Sequence, residues 1–221
     1  MYTGPNIITD GLVLHLDAAN TKSYPGSGNT WSDLSGFESD GNIVGPSYNL
    51  TDRTFTYTNG DKVGFGIDGG NLNVNPGESN KLSVLAWVNP NNPSDSRAPI
   101  VRIDRWYFQV YSQDRLASYW YGRNPSGYHY SNPNTVPMNK WSFVGVIWNE
   151  NSVKFYINGQ LDKTINNVGG IGDNNDYLRV GFENAGREYE GNISSVFVYN
   201  KGLSVSEVLR NYNATKSRFN L

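Results

Sequence analysis

The sequence predicts an all-β sandwich or barrel accompanied by a single short helix, and three observations predict it. Short apolar or alternating stretches recur along the 221 residues, separated by clusters of Gly, Asn, Pro and Asp, which is the pattern of many short strands joined by turns. Aromatic residues make up 14% and charged residues only 17%, against a usual ~25% charged, so the chain is ring-rich and carries little field. Only one segment, near the C-terminal end, shows the start signals and apolar spacing of a helix.

Strands are expected, in order, at residues 12–16, 63–67, 82–88, 100–103, 106–111, 117–121, 142–148, 153–157, 178–182 and 193–199. Their Val, Ile, Phe, Tyr and Trp content suits a pleated, half-buried surface. In the first, Leu12, Leu14 and Leu16 are expected on the core side and Val13 with His15 on the other. Val153-Lys154-Phe155-Tyr156-Ile157 runs into Asn158-Gly159, a pair that readily supplies the two positive φ values of a type I′ hairpin turn, so a returning strand is expected at 160–165. Ser204-Val205-Ser206-Glu207 reads as a capping box, in which the Ser204 hydroxyl takes the Glu207 amide and the Glu207 carboxylate returns to the Ser204 amide. Leu203 and Val208 form its hydrophobic staple, and about two turns should follow, docking through Val208, Leu209 and Tyr212.

The length exceeds the ~150-residue prior by about half, which suits two small domains or one sandwich. Asn92-Pro93-Ser94-Asp95-Ser96 and Asn132-Pro133-Asn134 interrupt no strand pattern on either side, so they read as loops rather than linkers. One domain spanning 1–221, with 1–10 as an N-terminal arm, is expected. The formal charge of −2, the pI near 5.7 and the scattered Lys and Arg argue against a nucleic-acid partner. The chain has no Cys, which removes disulfides, thiolate metal sites and Cys nucleophiles. No apolar run approaches the ~18–20 residues of a membrane span, and Met1-Tyr2-Thr3-Gly4-Pro5 has neither the basic start nor the apolar middle of a signal peptide. A soluble protein without membrane insertion is expected.

Several separated motifs occur in a familiar order: Leu82-Ser83-Val84-Leu85-Ala86-Trp87-Val88-Asn89-Pro90, Asn139-Lys140-Trp141-Ser142-Phe143-Val144-Gly145-Val146, Val153 through Gly159, Leu178-Arg179-Val180-Gly181 and Tyr189-Glu190-Gly191-Asn192-Ile193. The series resembles the laminin-G-like branch of the concanavalin A-like lectin/glucanase superfamily, which implies a two-sheet antiparallel jelly-roll sandwich. The opening Gly11 through Asn20, Asp33-Leu34-Ser35-Gly36 and the ending from Tyr199 to Phe219 resemble versions found in structural proteins of tailed phages. That likeness implies a virion module, decorating the capsid or sitting on a fibre and made in the host cytoplasm. Its implied partners are other virion proteins, polysaccharide or further copies of itself. One fold hosts lectins, hydrolases and plain structural modules, so function has to come from the site.

Glucanases of the superfamily place a Glu-x-Asp-x-Glu-type cluster along one strand, because two carboxylates must flank the scissile bond at ~5–9 Å. No such string occurs in this chain; Glu188-Tyr189-Glu190 is the nearest approach. Two unpaired His, no Ser-His-Asp order and no Cys leave nucleophilic catalysis without support. The aromatic-rich middle is the better candidate. Tyr107, Gln109 and Tyr111 share one face by alternation, as do Tyr119, Tyr121 and Arg123, with Tyr128 and His129 following in a Gly/Asn/Pro-rich loop. Sugars need flat rings for their C–H faces and planar amides or guanidiniums for their hydroxyls. Such a patch is expected to bind neutral glycans by stacking and hydrogen bonding rather than by charge; the same composition also suits a subunit interface or plain packing.

For metal, Asp17, Asp33, Asp40, Asn42, Asp173 and Asp176 are hard-oxygen groups in turn-like segments. The resemblance implies a structural Ca²⁺ ion on the rim, held by Asp33 and Asp40. Asp and Asn also form turns through their own Asx hydrogen bonds. Two departures bear on calcium: Ile193 is followed by Ser194 where relatives often carry Asp, and the loop 33–41 lacks the central amides of its relatives. The leading expectation is a non-enzymatic, lectin-like virion module. The alternatives are a purely structural subunit using the aromatic face as an interface and a glycan-cleaving enzyme using Glu188 or Glu190.

Overall fold

The computed structural model describes residues 5–58, 60–65, 81–91, 97–103, 106–120, 127–169, 178–184 and 187–221. Two eight-stranded antiparallel sheets carry the fold. The first runs β14 (Gln160–Asn166), β13 (Ser152–Ile157), β12 (Ser142–Asn149), β7 (Lys81–Pro90), β18 (Gly191–Tyr199), β5 (Thr54–Tyr57) and β4 (Ser47–Asn49), with β1 (Leu12–Asp17) also paired to β18. The second runs β11 (Gly127–Tyr130), β10 (Arg115–Trp120), β9 (Trp106–Tyr111), β8 (Arg97–Ile103), β15 (Leu178–Val180), β6 (Lys62–Phe65), β3 (Gly41–Val44) and β2 (Thr30–Trp31). β16 (Phe182–Asn184) and β17 (Arg187–Glu188) pair with each other. The chain ends in α1 (Val205–Thr215) and a 3₁₀ turn at Lys216–Phe219. This is the two-sheet antiparallel sandwich with one short C-terminal helix.

The inner faces of the two sheets share one apolar core. Val84, Val144, Val146 and Phe155 of the first sheet meet Ile100, Phe108, Val110 and Leu116 of the second. Strands with alternating apolar residues bury one side here, whereas β7 and β12 are buried on both. Their other face, with Leu85, Trp87, Phe143 and Ile147, forms a second cluster with Phe197 and Tyr199, roofed by Leu203, Val208 and Tyr212 of the helical end and by Ile7 and Ile8. The central strands of the first sheet are therefore covered on both sides.

Local chemistry explains the elements. Asn158 and Gly159 take φ +49 and +77, the hairpin geometry their sequence calls for, and β14 returns from there. Ser204 caps α1, accepting from the Glu207 amide while Glu207 accepts from the Ser204 amide at 2.7 Å. The helix reaches eleven residues, longer than two turns, because Asn211, Ala214 and Thr215 also face the sheet and are buried. The expected strand at 178–182 divides at Gly181, whose φ of +82 breaks the ladder and whose bare Cα lets the Tyr57 ring approach. Leu12 leaves the inner core as well: the register of β1 against β18 shifts between Leu12 and Leu14, so Leu12 joins the outer cluster and Val13 the inner one. A bulge of this kind reverses facing upstream of itself.

Candidate functional site

The strands β8 to β11 pair in a register that lays out three rows. Arg97, Tyr111 and Arg115 form the first, and Pro99, Gln109, Ala117 and Tyr130 the second. Arg102, Tyr107, Tyr119 and Tyr128 form the third. Alternation puts all of them on the outer face, since Trp106, Phe108, Val110, Leu116 and Trp120 between them lie in the core. α1 lies against β14 of the other sheet, so it does not cover this face.

The tyrosines form one connected surface of half-buried rings. Centroids are 5.7 Å apart for Tyr107 and Tyr119, 4.5 Å for Tyr119 and Tyr128, 5.2 Å for Tyr111 and Tyr128, and 5.3 Å for Tyr111 and Tyr130. Tyr128 and Tyr130 lie nearly parallel, at 13° and 5.6 Å. Guanidinium groups rest on these rings: Arg97 at 5.5 Å from the Tyr128 centroid, Arg102 at 5.1 Å from Tyr107, and Arg115 at 4.0 Å from Tyr130. Such pairs are attractive through the ring quadrupole. Burial and the neighbouring Tyr111 hydroxyl push the Tyr130 phenol up to about 12, which keeps it neutral at ordinary pH.

The structure thus brings together Tyr107, Tyr111, Tyr119 and Tyr128, and it changes the rest of the expected set. Gln109 sits among them but beneath the rings, 1% exposed, with its Nε2 lacking a partner. His129 does not join them. Residues 127–130 form β11 rather than a loop, and alternation turns His129 inward, edge-on to Trp148 at 5.5 Å. Burial lowers its pKa. Beside it, Ser118 Oγ accepts from the indole N–H groups of Trp106 and Trp148 at 3.0 and 3.1 Å. Tyr121 and Arg123 lie outside the described residues. Tyr130, Arg97, Arg102 and Arg115 are the members that the sequence reading left out; the Tyr-x-Tyr spacing at 128–130 signals the first, while the arginines become visible only through strand register. The expectation of a low-charge patch is corrected accordingly, because three cations converge on it.

Asp33 and Asp40 use their oxygens locally. Asp33 Oδ1 accepts from the His15 and Ser35 amides at 2.8 and 2.9 Å, Asp33 Oδ2 from Ser35 Oγ at 2.6 Å, and Asp40 Oδ1 from the Asp33 amide at 2.8 Å. Among the described residues no group of three acidic, His or Cys side chains gathers. Ca²⁺ takes ~6–8 oxygens, and this pair, already engaged as turn formers, does not fit it. Asp173 and Asp176 lie outside the described residues. Glu188 and Glu190 flank Tyr189, whose ring is buried in the core.

A concavity of about 730 Å³ opens between the N-terminal segment, β1 and the helical end, lined by Asn6, Thr9, His15, Asp17, Arg210 and Arg218 among others. His15 stacks on Phe197 with centroids 4.5 Å apart. Burial pushes its pKa down to about 4, against smaller opposing effects of Asp17 and Asp33. Arg218 grips both Asp17 oxygens at 2.6 and 2.7 Å.

Among solved structures, the chain is similar to the binding domain of Paraclostridial Mosquitocidal Protein 1, with TM-score 0.72 and 17% identity over 93% of this chain and 52% of that one. It is also similar to Trypanosoma rangeli sialidase in complex with the inhibitor DANA, at 0.70 and 13% over 94% and 33%. A third is the binding domain of botulinum neurotoxin DC in complex with rat synaptotagmin II, at 0.69 and 18% over 94% and 52%. The chain spans about half the length of the two binding domains and a third of the sialidase, and at these identities the likeness is one of fold. Comparison with curated proteins gives no match. Among the described residues no helix is long and apolar enough to cross a membrane. Residues 66–209, more than half of the chain, match the Laminin_G_3 family model, and the chain therefore belongs to this family of the concanavalin A-like lectin/glucanases superfamily.

Proposed function

We propose that this chain is a non-catalytic glycan-binding module that takes its ligand on the outer face of β8 to β11. The observation that carries the reading is the connected surface of Tyr107, Tyr111, Tyr119, Tyr128 and Tyr130 with arginines seated on it. Rings of this kind cover the C–H faces of a pyranose, while phenols and guanidiniums bond its hydroxyls. The fuller proposal is a single-domain module of a tailed-phage particle, on capsid or fibre, touching host or environmental polysaccharide. It is supported by the phage-like segments at 11–20, 33–36 and 199–219. A glycan array probed with the wild-type chain and with Tyr119→Ala and Tyr128→Ala tests it. Each substitution is expected to weaken binding about ten-fold, as the loss of one stacked ring implies; wild-type protein that binds no glycan would sink the proposal.

A second reading makes the same face an interface with another virion subunit or another copy of this chain, favoured by the enrichment of Tyr and Arg at the centres of protein interfaces. Sedimentation of the isolated chain, alone and with particles, distinguishes the two. Assembly that protects Tyr107 and Tyr111 from solvent supports the interface.

A further inference from the structure

Resting on the glycan-binding reading, we infer that the ligand of this face is an anionic polysaccharide, one bearing carboxylate or sulfate groups. The chain as a whole carries a formal charge of −2, yet the face collects cations. Among the described residues the ion pairs join Lys81 to Glu150, Lys201 to Asp10 and Glu207, and Arg218 to Asp17; neither Arg97 nor Arg115 is in one. Asp114, in the turn just before Arg115, is the described carboxylate nearest in sequence.

Both guanidiniums instead rest on tyrosine, Arg97 against Tyr128 and Arg115 against Tyr130, two rings that stack on each other. A guanidinium seated over a ring does not spend its N–H donors on that ring, and its donor fork matches carboxylate and sulfate oxygens in pairs. The rings thus hold the cations without neutralising them.

Unsatisfied hydrogen bonds point the same way. Arg115 Nε and Gln109 Nε2 are buried without a partner, and both are donors. Orphaned donors are costly to bury, so the layer just beneath this face is short of acceptors. A neutral sugar brings hydroxyls that donate as readily as they accept, whereas a carboxylate or sulfate accepts only. The Tyr130 phenol, pushed up to about 12 by burial, stays neutral and does not repel such a ligand.

Titration calorimetry of the full chain against matched polymers tests this: dextran sulfate against dextran, and polygalacturonate against its methyl ester. The charged member of each pair is expected to bind about ten-fold or more tightly, with the preference shrinking as salt rises. Arg97→Gln and Arg115→Gln should each lower affinity for the charged polymers about ten-fold with thermal unfolding close to wild type. Should Arg115→Gln fail to fold, Arg97→Gln and the salt series carry the same test. Equal binding of charged and uncharged members, or arginine variants that bind as wild type does, overturns the inference and leaves the glycan reading standing. Silence towards all four polymers removes both. Poly-glutamate bound as tightly as polygalacturonate overturns it in favour of an acidic protein surface.

Discussion

At the scale of single residues, His15 shows how position overrides chemistry. Alternation places it on the outer face of β1, and the Phe197 ring it stacks on, together with the N-terminal segment and the helical end, removes it from water. Its pKa falls from 6.5 to about 4, chiefly through burial, with Asp17 and Asp33 opposing and Arg218 reinforcing. A depressed pKa means that the fold favours the neutral ring. Between pH 6.5 and 4 the unfolded chain binds the proton that the folded chain refuses, so this stabilisation is complete above 6.5 and is lost as pH falls towards 4. The shift is worth about 3 kcal/mol. Urea unfolding at pH 7 and pH 4 should show wild type losing about that much more stability than His15→Phe, which keeps a ring on Phe197 and removes the titration; equal losses would contradict it. The proposed glycan-binding face has the opposite character. The Tyr130 phenol is pushed up to about 12 by burial, and burial lowers the pKa of the inward-turned His129, so binding should vary little with buffer between pH 6 and 8.

At the scale of elements, α1 depends on a few short-range contacts made well. Ser204 Oγ takes the Glu207 amide, and Glu207 in turn holds the Ser204 amide and the Lys201 ammonium at 2.9 Å. Leu203 and Val208 bury together beneath it. Replacing Ser204 by Ala removes the cap and should cost about 1 kcal/mol, measurable as a lower urea midpoint with an unchanged slope. The far end of the helix is fixed differently. Thr215 Oγ1 accepts the Trp87 indole N–H at 2.7 Å and donates to the Asn211 carbonyl, while Phe219 stacks on Trp87 at 4.0 Å. These contacts keep the last turn on the sheet.

At the scale of the whole molecule, the two sheets meet different fates. The first is sealed over its central strands on the outer side by residues from both ends of the chain, and a buried ion pair crosses that seal. Asp17 on β1 is 4% exposed in its side chain, and its partner Arg218, 39% exposed, comes from the final turn. Removing Arg218 leaves a buried carboxylate without its counter-charge. Arg218→Ala should therefore cost about 3 kcal/mol, the low end for a buried pair because the guanidinium is partly solvated; a Tm equal to wild type would show that Asp17 is adequately held by its neighbours. The second sheet carries no such cover from α1. Its aromatic rows face outward, and the asymmetry between the two sheets is what favours β8–β11 as the proposed recognition face.

Much of this was legible in the chain. The Asn158-Gly159 hairpin, the capping box at Ser204 and the shared face of Tyr107 and Tyr111 or of Tyr119 are local properties, decided by turn chemistry, cap geometry and the two-residue repeat of a strand. What escaped depends on partners distant in sequence. A bulge between Leu12 and Leu14 reversed the facing of the first leucine, the pairing of residues 127–130 turned an expected loop into a strand and sent His129 inward, and Asp33 closed a loop on the amide of His15. The arginines of the face come from residues 97, 102 and 115, and only the register of β8, β9 and β10 sets them beside the tyrosines. By itself the sequence determined which residues share a side of each strand; the tertiary structure decided which strands became neighbours and in what register, because pairing energy belongs to two segments together and is written in neither alone.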